Sequence, residues 1–359
     1  MDLTRPIIRI DLIVGARPNF VKAAAILHAA EKFPNAKIRL VHTGQHEKVM
    51  SDPYFKDLKL PVPDSIFQLP FETTIGSRLA QMIHGLSMNY DTTESRIWPT
   101  DYVMVVGDTD STLAGAIAAV KSGIPVAHVE AGLRCGDMKM QEEINRILVD
   151  SISTKHYATS DWALKNLKSE GHWRARNVGN VMVDTLMRFL PEAIKQYPRD
   201  DNYAVFTLHR AENVDDPEKL ASIINAVEEV ATRIPVIWPV HPRLGPLIAG
   251  RNITAVEPMG YLQFIALLSG AKFAMTDSGG VQEETTALNI PCLTLRENTE
   301  RPETVHAGTN CIVGTSPKSI LDMADWILSS KQTSFKRRQI DGWDGHAAER
   351  ILEDLCGTL

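Results

Sequence analysis

Short β-rich segments alternate with helical segments along most of this 359-residue chain, and this alternation limits the possible folds more than any other feature. Repeats of strand and helix in this order form parallel sheets covered by helices. The predicted strands are Ile7–Val14, Ile38–Val41, Tyr102–Val106 and Val126–Val129, followed in the second half by Tyr203–Leu208, Pro235–Val240, Ala271–Thr276 and Cys292–Leu295. The sequence therefore predicts an α/β protein with two parallel-sheet domains of similar size.

A polar, proline-containing segment, Leu190–Asn202, interrupts the alternation and indicates the region that follows a crossing between two domains. The chain is also too long for one ordinary hydrophobic core. The last helical segment, Ala347–Leu355, is amphipathic. It either caps its own domain or returns to the first one.

The composition argues against several classes of protein. Apolar residues make up 44% of the chain and charged residues 23%, which is typical of a soluble globular protein. The net charge of −6 does not favour a nucleic-acid partner. The 4 cysteines are scattered, so we expect neither a disulfide framework nor a zinc site, and a reducing compartment. We expect no signal peptide and no membrane segment, and therefore a cytoplasmic protein.

The segment Asp277–Glu284 follows a predicted strand and begins a helix. A strand, a turn of small residues and a helix start direct free backbone N–H groups toward an anion. Gly279 and Gly280 allow close approach of the backbone, because they have no Cβ. Glu283 and Glu284 either complement the helix dipole or, for one of them, reach ribose hydroxyls. The segment is therefore a candidate phosphate site.

Ligands of open parallel sheets bind beyond the C-terminal ends of the strands, so the residues that follow each strand are candidates. After the first strand, Gly15 permits a tight turn, and Arg17 and Lys22 bring two positive charges to the helix start. This pattern favours an anion or a carboxylate partner, although a lone Lys22 could equally lie on a solvated face. The three-glycine dinucleotide fingerprint is missing, so we do not expect an NAD enzyme.

Carboxylates follow other strands of the first half. Asp108 comes directly after a strand, and Glu142 opens a helix near the same edge. Glu130 ends a strongly apolar strand, where an unpaired carboxylate would be costly, so it requires a partner or a proton. Carboxylates gathered beside Arg and Lys suit general acid/base chemistry. The alternative is a structural ion-pair network with the nearby arginines.

Several polar groups follow strands of the second half. His209 could donate to a phosphate or shuttle a proton, and His241–Arg243 follows the next strand. The charged segment Arg296–Glu303 comes after the strand that follows the phosphate turn, and this position favours a substrate role. In the first half, His42 and His46 have no thiol or carboxylate at metal spacing, so we expect an ordinary polar role for them.

Taken together, these segments resemble the non-hydrolysing UDP-N-acetylglucosamine 2-epimerases in their order and spacing. The motifs are Gly15–Pro18 with Lys22, Gly107–Thr109, His128–Arg134, Glu142–Arg146, His209–Arg210, Asp277–Glu284 and Thr299–Glu303. The resemblance covers nearly the whole chain and implies the GT-B fold, with two Rossmann-like domains, a cleft between them and a C-terminal helix that returns to the first domain. It places the N-terminal domain at residues 1–179 with 346–359, and the UDP-binding domain at residues 180–345. It also implies a homodimer that binds a UDP-sugar and needs no metal or redox cofactor.

The activity that the resemblance implies is interconversion of UDP-N-acetylglucosamine and UDP-N-acetylmannosamine for surface polysaccharides. UDP is eliminated to give a bound 2-acetamidoglucal, and it adds back while C2 is protonated from the other face. The implied acid/base residues are Asp108, Glu130 and Glu142, and His209 would support cleavage of the anomeric C–O bond. The implied substrate-binding residues are Arg17, Lys22, His209, Ser278, Gly279, Gly280, Glu284 for the ribose, and Arg301.

The sequence departs from the family pattern at several places, including Gln141, which replaces a proline common before the paired glutamates. Asn19 and Phe20 stand where many members have an acidic residue and then a small one, and relatives with an amide and Phe include enzymes that act on UDP-2,3-diacetamido-2,3-dideoxy-glucuronic acid. Gln45 is followed by Lys48 where some bacterial members use a second glutamine to bind an activator, so we do not expect that regulation. Three other functions stay open: a hydrolysing epimerase, a GT-B glycosyltransferase and a nucleotide-sugar-binding regulator without turnover, although the full set of carboxylates argues against the regulator.

Overall fold

The computed structural model describes residues 6–45, 48–67, 69, 74–91, 97–199, 202–240, 250–329 and 338–357. The chain divides into two compact units. Unit 1 is Met1–Thr185 with Asp341–Leu359, and unit 2 is Leu186–Ile340. Two candidates from the sequence, His46 and His241–Arg243, lie outside the described residues.

Within the described residues, unit 1 contains a parallel sheet of seven strands in the order β3-β2-β1-β4-β5-β6-β7. The strands are β1 Ile8–Val14, β2 Ala36–His42, β3 Ser65–Ile66, β4 Tyr102–Val106, β5 Val126–Ala131, β6 Lys155–Ala158 and β7 Arg176–Asn177. The first strand is central, with Leu12 paired to Leu40 on one side and to Met104 on the other. The order therefore reverses between β1 and β4, and ligands of such sheets bind at this reversal.

The helices of unit 1 pack on both faces of its sheet. They are α1 Arg17–Ala30, α2 Lys48–Asp57, α3 Ile75–Asp91, α4 Asp110–Lys121, α5 Gln141–Ile152 and α6 Asp161–Ser169, followed by α7 Val181–Gln196, which runs past the boundary between the units. Pro18 stands in the first turn of α1, where a missing N–H is harmless. Gly115 of α4 lies so close to Ile13 and Val105 that an added Cβ would come within 3.1 Å of each. This small residue lets α4 approach the β1–β4 reversal.

Unit 2 repeats the design with a parallel sheet of six strands, counted over its described residues, in the order β10-β9-β8-β11-β12-β13. The strands are β8 Ala204–Thr207, β9 Val236–Pro239, β10 Thr254–Val256, β11 Phe273–Thr276, β12 Cys292–Thr294 and β13 Asn310–Ile312. The helices are α8 Ala211–Val214, α9 Pro217–Val230, α10 Tyr261–Ser269, α11 Gly279–Leu288, α12 Pro302–His306 and α13 Pro317–Ser329. Its core includes Trp238 packed on Phe206, with ring centroids 4.5 Å apart. Here the strand order reverses between β8 and β11.

The sequence predicts that Leu190–Asn202 interrupts the strand–helix alternation after a crossing between domains. The first part of this segment is helical, since α7 continues through Pro191 to Gln196. Buried Phe189 and Ala193 lie on either side of this proline in the sequence. We attribute the continuity of the helix to this apolar face, because its burial offsets the backbone hydrogen bond that proline removes.

The last helix, α14 Ala347–Cys356, belongs to unit 1, as the amphipathic pattern allowed. Its start is held by Asp184 of α7, whose carboxylate accepts the backbone N–H of Ala348 at 2.8 Å. Its end is held by Asp354, which accepts hydrogen bonds from Lys155 Nζ and the Tyr157 hydroxyl at 2.8 Å each. The final helix therefore completes the first unit, and not the second.

The two chain segments that connect the units touch within unit 1. Gly179 has φ +89° and Gly342 has φ +76°, and a Cβ on Gly342 would lie 2.9 Å from the Gly179 Cα. Both positions require glycine, because their backbones approach each other without room for side chains. Arg350 of α14 donates to the Val178 carbonyl at 2.9 Å beside this crossing.

Candidate active site

The turn after β1 is closely packed against the turns that follow neighbouring strands. A Cβ on Gly15 would overlap the hydroxyl groups of Ser111 and Thr43, which hydrogen-bond to each other at 2.7 Å. Ser111 also donates to Gln45 Oε1 at 2.6 Å. Glycine is thus required at position 15 because these side chains approach its Cα closely.

Asn19 ties the β1 turn to β4 and is fully buried. Its Oδ1 accepts the backbone N–H of Gly15 at 3.2 Å and of Ala16 at 2.9 Å, and its Nδ2 donates to the Val106 carbonyl at 2.9 Å. An ionised carboxylate could accept the first two bonds but could not donate the third. An amide therefore fits position 19 better than an ionised carboxylate, because it makes all three hydrogen bonds.

Two of the predicted residues, Lys22 and Glu130, form a buried ion pair in unit 1. Lys22 Nζ lies 2.7 Å from Glu130 Oε2, and the two side chains are 5% and 1% exposed. The pair lies against Gly107, where a Cβ would be 2.5 Å from Lys22 Nζ. Since Gly107 also has φ +73°, only glycine fits the turn that precedes Asp108. Three of the predicted residues are thus brought together at the β1–β4 reversal.

Glu130 has an unusual backbone. Its φ is +69°, and the pairing of β5 with β6 shifts by one residue between Val129 and Ala131. A left-handed conformation costs a non-glycine residue about 1–2 kcal/mol. Bulges next to active sites redirect a side chain, and strain is often retained where it has a functional use. The bulge explains how a carboxylate on a buried strand reaches Lys22.

Asp108 is held by a buried arginine, one of the nearby arginines for which the sequence indicated only a structural ion-pair network. Arg146 Nε donates to Asp108 Oδ2 at 3.0 Å, and Arg146 Nη1 donates to Glu143 Oε2 at 2.5 Å. Glu143 also accepts the backbone N–H of Gly136 at 2.8 Å. Glu142, the predicted acid/base residue, stands half-buried in the first turn of α5 beside this network. The structure therefore shows both the ion-pair network and candidate acids at one sheet edge.

A second buried pair lies beneath the same turn. His128 Nδ1 is 2.6 Å from Asp150 Oδ1, and both side chains are fully buried. Burial opposes the charge on Asp150, but His128 and Arg134 hold its pKa at about 2. Sequence reasoning did not single out Asp150, because an acid at the end of a helix carries no signal that it will face a particular strand.

In unit 2, the predicted His209 is oriented by an aspartate. His209 Nδ1 lies 2.9 Å from Asp277 Oδ1, and the imidazole is 61% exposed. Asp277 is fully buried and also accepts the Arg210 backbone N–H at 2.9 Å and Asn213 Nδ2 at 3.1 Å. Burial opposes its ionisation, but these bonds, chiefly the one from His209, lower its pKa. The exposed His209 Nε2 is therefore in a defined position to donate or accept a proton.

The predicted phosphate turn lies next to His209, because β8 and β11 are neighbours. Ser278 is the N-cap of α11, and its hydroxyl accepts the Val281 backbone N–H at 3.5 Å. Gly280 is half-buried in the first turn. This is the strand, turn and helix start expected for anion binding.

Arg301, predicted to bind substrate, lies directly against this turn. A Cβ on Gly279 would overlap its guanidinium. Arg301 is only 5% exposed, donates to Glu300 and lies 2.8 Å from Glu283 through Nε. The structure therefore gives Arg301 a role in supporting the turn.

Glu284, predicted to hold ribose, is buried in α11. Burial and, to a smaller extent, the neighbouring Glu283 carboxylate raise the pKa of Glu284 to about 8, against a hydrogen bond from Tyr261 that lowers it. At neutral pH the carboxyl group is therefore mostly protonated. The remaining predicted residue, Arg17, is half-buried in the first turn of α1, with its guanidinium 5.6 Å from the centre of the Tyr54 ring.

The described part of the chain contains neither a metal-binding cluster nor a membrane-spanning helix. Its His, Cys, Asp and Glu residues form no group of three or more arranged to hold a metal ion. Its helices include none that is long and apolar enough to cross a membrane.

The two parallel sheets, each with polar residues at its strand-order reversal, place this chain among α/β proteins of the GT-B fold. A family model described as UDP-N-acetylglucosamine 2-epimerase matches residues 28–356. The chain belongs to this family and is an isomerase.

Three relatives illustrate the similarity. The UDP-2,3-diacetamido-2,3-dideoxy-D-glucuronate 2-epimerase of Pseudomonas aeruginosa is 39% identical over 97% of this chain and 99% of its own length. The UDP-N-acetylglucosamine 2-epimerase of Methanocaldococcus jannaschii is 37% identical over 96% of this chain and 98% of its own length. A crystal structure of the M. jannaschii enzyme in complex with UDP-GlcNAc and UDP has a TM-score of 0.86, with 35% identity over 97% of this chain and 99% of that one.

Proposed function

We propose that this protein is a non-hydrolysing 2-epimerase that interconverts UDP-N-acetylglucosamine and UDP-N-acetylmannosamine. A base removes the proton from C2 of the sugar while the anomeric C–O bond breaks and UDP leaves, giving 2-acetamidoglucal. The diphosphate oxygen then attacks C1 again, and an acid delivers a proton to the other face of C2. The overall reaction is balanced without a redox step.

The observation that carries this proposal is the pair of carboxylates beside the β1–β4 reversal, each held by a buried cation. Glu130 lies 2.7 Å from Lys22, and Asp108 lies 3.0 Å from Arg146. An acid and a base at one sheet edge are what removal and return of a C2 proton require. Half-buried Glu142 is the third candidate for these roles.

We assign diphosphate binding in unit 2 to the start of α11 and to His209. Ser278, Gly279 and Gly280 present backbone N–H groups to an anion, and Arg301 supports this turn from below. His209 supports the departing diphosphate through Nε2, because Asp277 engages Nδ1. Glu284 is assigned to the ribose hydroxyls and, in unit 1, Arg17 and Lys22 to the anionic part of the substrate.

Proton NMR in deuterium oxide tests the reaction. With UDP-N-acetylglucosamine, we expect a second anomeric signal and deuterium at C2 of both sugars. Glu130→Gln, assayed well below its unfolding midpoint, should abolish exchange while UDP affinity stays nearly unchanged. Undiminished exchange in this variant would contradict the assignment of Glu130.

The same experiment separates the other functions. A hydrolysing epimerase would release free N-acetylmannosamine and UDP, and a glycosyltransferase would leave the C2 hydrogen in place. A regulator would bind the nucleotide sugar without changing its spectrum. Any of these outcomes would refute the proposed reaction.

One observation favours a second substrate, UDP-2,3-diacetamido-2,3-dideoxy-glucuronic acid. Asn19 is built into the β1 turn as an amide, and Phe20 packs its ring 4.9 Å from Phe55 and 5.3 Å from His42. The relative that acts on the diacetamido sugar by name is 39% identical to this chain. Comparing kcat/KM for the two nucleotide sugars decides between them.

We further infer from the family resemblance that the protein works as a cytoplasmic homodimer in the supply of UDP-N-acetylmannosamine for surface polysaccharides. Light scattering of the purified protein tests the dimer directly, since a monomer mass of 39.8 kDa at micromolar concentration would exclude it.

A further inference from the structure

The imidazole of His128 faces a hydrogen-bond acceptor at each nitrogen. Nδ1 lies 2.6 Å from Asp150 Oδ1, and Nε2 lies 2.9 Å from the carbonyl oxygen of Gly107. A carbonyl oxygen and an ionised carboxylate can only accept hydrogen bonds. Both contacts are made together only when each ring nitrogen carries a proton, which is the imidazolium form.

The partner carboxylate is built to stay ionised. Asp150 Oδ2 accepts the Gly132 backbone N–H at 3.0 Å and lies 2.8 Å from Arg134 Nη2. Despite burial, these donors and the imidazole hold the pKa of Asp150 at about 2. The buried Asp150 anion is thus compensated by the charge of Arg134 and by that of a doubly protonated His128.

The other titratable groups packed near the ring do not supply a competing charge. On β6, burial lowers the pKa of His156, whose Nε2 lies 2.8 Å from the Asp150 carbonyl oxygen. On the side of Gly107, Lys22 and Glu130 neutralise each other at 2.7 Å. Arg134 is balanced by Glu170, to which it donates at 2.6 Å and 2.9 Å.

The acceptor of the second N–H is the residue that precedes Asp108. Gly107 donates its own N–H to the Val129 carbonyl at 3.0 Å, so both of its backbone polar groups are bound to β5. These two hydrogen bonds keep Gly107 in its left-handed conformation and in contact with Lys22. Rotation of this one peptide would move Asp108 relative to Glu130.

We propose that His128 is a doubly protonated positioning residue that fixes the Gly107 turn, and thereby the separation of Asp108 from the Lys22–Glu130 pair. The kinetic part of this proposal rests on the proposed epimerase function. The protonation part does not, because it follows from the two acceptors alone.

Nitrogen-15 NMR of the labelled protein tests the protonation state directly. The His128 signals are assigned by their loss in His128→Leu, or, if that variant does not fold, by selective labelling and through-bond correlation. Both ring nitrogens should be of the protonated type, because each one faces an acceptor. A single unprotonated ring nitrogen at neutral pH would overturn the proposal.

Kinetics of two variants test the positioning role. In Asp150→Asn, a neutral imidazole can still donate Nε2–H to Gly107, so kcat should stay within about tenfold of the wild type. His128→Leu removes the donor, and a misplacement of about 1 Å can lower kcat on the order of 100-fold while KM changes little. The exposed His346→Gln is the matched control and should behave as the wild type.

The outcomes distinguish failure of the positioning role of His128 from failure of the proposed epimerase function. Wild-type kcat in a folded His128→Leu protein would refute the positioning role. If the wild-type protein shows no C2 exchange at all, the proposed function fails, and the NMR result still decides the state of His128. Loss of kcat in both variants alike would mean that the buried charge balance matters, and not the bond to Gly107, which also refutes the proposal.

Discussion

The buried Lys22–Glu130 pair should show strong energetic coupling. Removing one partner of a buried ion pair leaves an uncompensated charge and costs about 3–5 kcal/mol, whereas removing both is often nearly neutral. With a 2.7 Å separation and side chains 5% and 1% exposed, this pair belongs to that class. We therefore expect Lys22→Met and Glu130→Gln each to lower the free energy of unfolding of unit 1 by about 3 kcal/mol or more.

The double variant should lose clearly less stability than the sum of the two single variants, because neither charge is then left alone. The assay is urea denaturation followed by tryptophan fluorescence, with hydrogen exchange of unit 1 amides to separate the two units. All three variants should be inactive, so the double variant should recover stability without recovering activity.

An exposed pair in the same unit provides the control. Lys32 Nζ lies 2.5 Å from Glu349 Oε1, but these side chains are 63% and 26% exposed. Lys32→Met should therefore change stability by less than about 1 kcal/mol and leave activity intact. A Lys22→Met protein as stable as the wild type, or a double variant that loses the sum of the two single effects, would refute the reasoning.

Two further predictions concern a helix start in each unit. Burial raises the pKa of Asp184 from 3.8 to about 6. The free energy of unfolding is therefore greatest below pH 3.8, and it falls by about 3 kcal/mol in all as the pH rises through about 6. Asp184→Asn keeps the acceptor for Ala348, so urea denaturation should show the variant to be more stable at pH 8 by up to about 3 kcal/mol and equal near pH 4; a pH-independent difference would contradict this. Gly279→Ala forces a methyl group against Arg301, and calorimetry should show about tenfold weaker UDP binding, while Gly76→Ala, which meets no atom within 4 Å, should not change affinity; equal affinity in both variants would rule out the proposed cradle.

Much of the fold could be predicted, because strand and helix patterns are local. Tyr102–Val106 was predicted with the bounds that the structure shows, and the other predicted strands agree to within a few residues at each end. The GT-B class followed from the family resemblance. The continuation of α7 through Pro191 was not predicted, since the packing that offsets a proline is not local information.

The site could be predicted less completely. The glycine turns and Glu130 were found because a polar or small residue after an apolar strand is conspicuous. The partners were not assigned: Arg146 to Asp108, Asp277 to His209 and Asp150 to His128 each join elements that are apart in sequence. The left-handed backbone of Glu130 also has no sequence signal, because glutamate does not favour it.

The division of the chain has a consequence for its synthesis. Unit 2 is one continuous segment, so all of it has been made before the polypeptide reaches Asp341. Unit 1 lacks its last helix until residues 347–356 emerge. Until then, the apolar surface that Ile351, Leu352 and Leu355 cover stays exposed. During synthesis, unit 2 can therefore complete its folding before unit 1, which still has an uncovered apolar face. A stop codon before residue 347 would therefore leave unit 1, which contains the N-terminal half of the chain, without its last helix.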